Sequence, residues 1–170
     1  SINATKQPSG DQVNYYVAYM NVPVIGFLKS LIYIYGADYF VDSGKVNISG
    51  EFMNGVYNYF GYYLTFGYYP LFAALYTFVE YLMIYLGLYK VFRKAQMPKY
   101  PIVCGVLILS FFYLFFQYTL QIQKQFFAQA IMMYVLGSYA EKGKMTIKLW
   151  LIALCSILTH ASTGLFLPFL

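Results

Sequence analysis

The chain has 170 residues; 61% are hydrophobic, 22% aromatic and 10% charged, with 11 Lys and Arg against 6 Asp and Glu. Ordinary soluble domains carry about 25% charged residues, and the mean hydropathy of +0.56 points instead to a chain that settles in hydrocarbon. The net charge of +5 does not indicate nucleic acid, because seven of the eleven basic residues fall in two short clusters, Lys90/Arg93/Lys94/Lys99 and Lys142/Lys144/Lys148, where membrane topology explains them.

In chain order, residues 1–10 are polar and do not form a signal peptide. In the following stretch, DQVNYYVAY, Asp11, Tyr15 and Ala18 recur at helical spacing, and Ser9 or Asp11 can cap the helix. Residues 22–36 are apolar but interrupted by Pro23, Gly26 and Lys29. A span needs about 20 apolar residues, so this piece is predicted to lie at the interface or to re-enter. Residues 37–58 are polar and Gly-rich and read as an exposed loop with Asp38, Asp42 and Glu51 solvated. Asn3 and Asn47 match the glycosylation sequon, a pattern common by chance.

The first full span runs from Tyr68 to Tyr89, with Pro70 in its first turn and Lys90, Arg93 and Lys94 closing it. Pro101 to Gln117 returns, a turn follows near residues 118–122, Phe126 to Ala140 runs back to Glu141-Lys142-Gly143-Lys144, and Lys148 to Leu170 crosses again. No Gly or Pro marks the turn between Val106 and Leu136. A single helix over 101–140 would nevertheless be about 60 Å long, twice the hydrocarbon thickness, and would separate the basic clusters. Cytoplasmic loops carry the Lys and Arg excess, so loops 90–100 and 141–148 are expected inside and residues 1–66 outside. The predicted fold is all-α: an extracytoplasmic segment, 1–66, with an interfacial or re-entrant helix, then a transmembrane helical domain, 67–170, with about four full spans. Cys104 and Cys155, inside apolar segments, read as small core residues. The chain begins without Met and stops inside an apolar segment, as expected of part of a longer protein.

Polar groups at membrane depth are costly and mark function. Gln121, Gln125 and Gln129 share a helix face by their i, i+4 spacing, with Lys124 beside them and Gln117 just upstream. A cation among amides at the outer boundary can grip a diphosphate or sugar hydroxyls; the simpler reading is a helix end with a snorkelling Lys. His160, the only His, follows Lys148 by twelve residues, about 18 Å along a helix, in a face shared with Thr159, Ser162 and Thr163. It can serve as a general base or phosphate ligand, or pack against a neighbouring helix. Glu80 lies near the middle of the first span; an acid there must be paired, protonated or facing water, and structural pairing is expected. No phosphate-binding loop, dinucleotide Gly motif or metal-spaced Cys/His cluster occurs.

The order of these residues, Asp11 and Tyr15 in an outer segment, Gln121-Ile-Gln-Lys124-Gln125 opening a helix, a basic inner loop, then His160 within LTHASTGLFLPF, resembles the EpsG family of Wzy-type polysaccharide polymerases of bacterial inner membranes. The resemblance covers nearly the whole chain and departs at Lys124, where the family usually has Arg; Lys keeps the charge and loses the bidentate fork. It implies a glycosyltransferase of GT-C-like, all-helical membrane architecture that needs neither metal nor other cofactor. Such an enzyme joins oligosaccharide repeat units carried on undecaprenyl diphosphate, for exopolysaccharide, capsule or O-antigen. Its partners would be the lipid-linked glycan, the bilayer and other polysaccharide assembly proteins. In that scheme Lys124, Gln121, Gln125 and Tyr15 bind diphosphate and sugar, and His160 or Asp11 takes the acceptor's proton. The rival readings are a flippase or transporter for a lipid-linked glycan and a scaffold subunit of an export complex.

Overall fold

The computed structural model of the protein describes residues 11–32, 52–111 and 123–170. Every regular element among them is helical: α1 (Asp11–Met20), α2 (Val22–Ile32), α3 (Phe52–Leu64), α4 (Tyr69–Lys94), α5 (Tyr100–Phe111), α6 (Gln123–Lys142), α7 (Ile147–Thr159) and a closing 3₁₀ helix (Ala161–Phe169). The chain divides into two compact units, residues 1–76 and 77–170, with the division inside α4.

In the first unit an aromatic cluster gathers around Tyr19, which is fully buried. Its ring stacks on Phe72 at 4.7 Å and meets Tyr62 and Tyr69 at 5.2 and 5.4 Å between centroids. Thr65 donates its hydroxyl proton to Gly61 O at 2.7 Å, which makes Tyr19 Oη the donor in the 2.5 Å bond to Thr65 Oγ1. α2 is kinked at Gly26, whose φ of 72° and ψ of 177° lie outside the reach of L side chains. Gly55 plays a different part: a Cβ there would lie 1.9 Å from Ser30 O, so its hydrogen lets α3 press against the backbone of α2. Residues 52–58, expected in an exposed loop, therefore belong to a helix with Gly55 and Asn58 buried. The glycines that read as loop punctuation are contact points between helices, a use that single-sequence patterns do not separate from turns.

The second unit is organised by α6. It pairs with α7 through a short connection: Gly143, at φ 67°, ends α6, and Thr146 caps α7 by accepting from Leu149 N at 3.3 Å. Met132, Val135 and Ala153 form the buried seam of this pair. Ser156 Oγ crosses it, donating to Ala128 O at 2.7 Å. On its other side α6 meets α4. Tyr81 contacts Phe126 at 6.4 Å between ring centroids. Gly87 abuts Met133 and Gly137, Lys90 Nζ donates to Ser138 Oγ at 2.6 Å, and Arg93 forms an ion pair with Glu141. Partner numbers rise together along both helices, so α4 and α6 run parallel and bring their basic C-terminal ends side by side.

α4, at 26 residues, is long and apolar enough to cross a membrane, and it is the only such helix among the described residues. About four spans were expected. α5 and α7 comprise 12 and 13 residues as described, about 18–20 Å each. α6 has the length, with 20 residues, but carries Gln123, Lys124, Gln125 and Gln129. The segment 148–170 is not one helix. It breaks at His160, whose φ of −157° and ψ of 120° are extended, and it continues as the 3₁₀ helix. The run Thr159-His160-Ala161-Ser162-Thr163 supplies side chains that bond the local backbone and compete with the α-helical ladder. The proposed turn at 118–122 lies outside the described residues, as do Gln117, Gln121 and Asn47.

Candidate functional site

Of the polar residues selected from the sequence, Lys124, Gln125 and His160 fall at one end of the α6–α7 pair. α6 is described from Gln123 onward, and Lys124 and Gln125 are the next two residues along it. Gln123 is buried and Lys124 and Gln125 are half-buried. The Ser156–Ala128 hydrogen bond fixes the register between the antiparallel α6 and α7. Lys124 is four residues before Ala128 and His160 four residues after Ser156, so both are displaced one turn toward the same end. A half-buried His160 is thereby held at the level of Lys124.

The break at His160 is fastened by hydroxyls. His160 N–H donates to Ser156 O at 3.0 Å. Thr163 Oγ1 donates to His160 O at 2.9 Å and lies 3.1 Å from Ser156 Oγ. Ser156, Thr159 and Thr163 are fully buried, and Thr159 Oγ1 donates to Cys155 O at 2.7 Å. The result is a fixed backbone under the imidazole. Sequence reasoning saw Ser162 and Thr163 as an open polar face; Thr163 and Ser156 instead form the inner support.

Immediately along α6 from this end lies a cavity of about 490 Å³ between α4, α6 and the 3₁₀ helix. Tyr81, Ile84, Phe126, Met133 and Phe166 wall it, and Gln129 is the amide on its surface. Phe126 and Gln129 follow Lys124 within about one to two turns, so the polar run Gln123–Gln125 leads directly into an apolar hollow.

Glu80 is fully buried in α4, and neither carboxylate oxygen has a hydrogen-bond partner among the described residues. Arg93 forms its ion pair with Glu141, about three and a half turns further along α4. Asp11 and Tyr15 belong to the first unit, in α1; Tyr15 is half-buried, and the side chain of Asp11 lies outside the described part, as does Gln121. Thus Lys124, Gln125 and His160 are brought to one end of one unit, and Glu80, next to Tyr81, is buried in α4 at the level where Tyr81 meets Phe126.

Sequence reasoning passed over Gly87 and Gly137. A Cβ at Gly137 would lie 2.1 Å from Gly87 O. Isolated glycines inside otherwise continuous helical patterns were the available signal, as in the small-residue contacts of membrane helices. No family model matches the chain, and no match was found among the curated proteins or the solved structures.

Proposed function

We propose that the chain is a multi-pass membrane protein that joins lipid-diphosphate-linked oligosaccharide units at the outer face of a bacterial inner membrane. The observation that carries this reading is the alignment, within one unit, of Lys124 and His160 at one level with an apolar cavity following them along α6. That order suits an amphiphile: a diphosphate at the polar run Gln123–Gln125 and the first isoprenes of its carrier against Phe126 and Met133. The resemblance of Asp11/Tyr15, Gln121–Gln125 and His160 to the EpsG family supplies the reaction class.

Embedding in the bilayer is supported by an inverted distribution of side chains. Leu71, Leu75, Phe78 and Leu82 make an exposed apolar stripe along α4, and Ile147, Trp150, Leu151 and Leu154 make another along α7, while Ser138, Ser156, Thr159, Thr163 and Glu80 are buried. Small hydroxyl residues between helices and apolar residues outward are the pattern of helices packed in lipid. The parallel pairing of α4 and α6 is consistent with both basic clusters on the cytoplasmic side, with Lys124 and His160 then at the outer side.

In the proposed reaction an acceptor hydroxyl attacks the anomeric carbon of the donor sugar. The C–O bond to the diphosphate breaks, and the diphosphate leaves with that electron pair. Lys124 neutralises the departing charge, with the amides of Gln121 and Gln125 beside it. His160 receives the acceptor's proton, with Asp11 as the alternative base. The test is gel analysis of surface polysaccharide from a deletion strain. Loss of long chains with single repeat units retained is the expected result. Loss of all surface units indicates a flippase instead, and an unchanged ladder refutes both.

A further inference from the structure

At the basic end of the second unit, α4 stops at a left-handed Gln96, φ 57°, and Met97 N–H turns back to Phe92 O at 2.9 Å. The chain passes Pro98 and restarts as α5. This corner encloses a cavity of about 220 Å³ lined by Tyr89, Arg93, Gln96, Met97, Lys99 and Ile102. Lys99 Nζ lies 5.2 Å and the Arg93 guanidinium carbon 5.9 Å from the centroid of the same Tyr89 ring, so the two cations converge on one wall. Among the described residues no acidic side chain lines the cavity. Glu141 engages one nitrogen of Arg93, and a guanidinium carries five N–H donors. Lys90 is committed to Ser138 and the Tyr134 ring. Lys94, Lys142 and Lys144 keep the surrounding sign positive.

We infer that this corner binds a phosphate ester, with its oxygens shared between Lys99 Nζ, the Arg93 guanidinium and the Gln96 amide, and its carbon chain along Met97 and Ile102. Two cations and an amide around a small hollow match an anion with several oxygens. The apolar wall matches an ester better than inorganic phosphate. Two sources offer this chemistry: the headgroup of an anionic glycerophospholipid in the leaflet beside α4, or a soluble phosphorylated metabolite. Basic pockets between helix ends at the cytoplasmic side suit the lipid source. The site lies at the opposite end of α6 from Lys124 and His160, so it is independent of the glycan reaction; only the lipid source rests on α4 spanning the bilayer.

The experiment uses the full chain purified in neutral phosphatidylcholine nanodiscs. Retention of dioleoylphosphatidylglycerol is read by native mass spectrometry, and binding of glycerol 3-phosphate by calorimetry. Lys99→Gln should weaken binding about tenfold, the loss of one charge-assisted contact, and Lys99→Arg should restore it. Lys142→Gln removes the same charge at the same end without touching the cavity and should change binding by less than about twofold. Retention of the lipid alone assigns the headgroup as source. Equal binding of glycerol 3-phosphate assigns a soluble ester. The inference is overturned if neither probe binds, or if Lys99→Gln and Lys142→Gln weaken binding equally. Because binding is read without polymer formation, these outcomes do not depend on the proposed reaction.

Discussion

Replacing Gly137 with Ala tests the parallel pairing of α4 and α6 on which the orientation of the second unit depends. A Cβ at Gly137 would lie 2.1 Å from Gly87 O, where ordinary contact begins at 3.4 Å, so the helices must part by about 1.3 Å. The obstructing atom is backbone and cannot rotate away. Overpacking costs about 1–3 kcal/mol, and a rigid backbone neighbour puts this case at the upper end. Separation also stretches the 2.6 Å Lys90–Ser138 bond and the Arg93–Glu141 pair, adding about 1 kcal/mol. Against this, Ala is favoured over Gly in a helix interior by about 1 kcal/mol. The expected net loss is about 2–3 kcal/mol. It can be read from denaturation in detergent by the fluorescence of Trp150, the only Trp. Gly87→Ala, which would place a Cβ 2.5 Å from Met133 O, should behave similarly. The double variant should cost less than the sum, since the helices need part only once. Unchanged or raised stability for Gly137→Ala, the result that helix propensity alone gives, would refute the close approach.

Further outcomes follow from other contacts. Glu80→Met removes two buried oxygens without a partner among the described residues and should stabilise the protein by about 1–3 kcal/mol in the same denaturation assay; destabilisation would show that Glu80 has a partner. Tyr19→Phe loses the 2.5 Å bond to Thr65 and should cost about 1 kcal/mol. Burial raises the Tyr19 phenol above its ordinary value of 10.0. Its contribution is thus fully present below pH about 10 and lost as pH rises through the folded value. An alkaline titration of stability should show that loss in the wild type and a smaller one in Tyr19→Phe. Single cysteines at 47, 94 and 144, introduced after replacing Cys104 and Cys155, should label from outside only at 47; labelling at 94 or 144 contradicts the orientation.

Much of the helical organisation is legible in the sequence because composition and charge clusters act over whole segments. The helix closed by Lys90, Arg93 and Lys94 and the helix ending at Lys142 follow from apolar length and basic punctuation, and α4 and α6 occupy those positions. The helix at 52–64 is not legible, since Gly55 and Gly61 look identical whether they make a turn or admit a neighbouring helix. The break at His160 has a local signal in Thr159, Ser162 and Thr163, but apolar content outweighs it when the segment is read as one span. The candidate site is legible as residue types, Lys124 and His160. Their common level depends on the Ser156–Ala128 register, a tertiary contact that no periodicity in one sequence encodes. The burial of Glu80 without a hydrogen-bond partner among the described residues is equally tertiary: an acid in an apolar helix announces a need for compensation without saying whether it is met.

The most direct measurement of the proposed function is the length distribution of surface polysaccharide in a deletion strain complemented with Lys124→Ala or Lys124→Arg, with membrane levels of each protein matched by immunoblot. Loss of one charge-assisted contact to the leaving diphosphate should lower the rate by about 10²–10³. Lys124→Ala is therefore predicted to leave single repeat units, while Lys124→Arg, which keeps the charge, restores long chains. Long chains of normal distribution from a stably expressed Lys124→Ala protein would contradict the account.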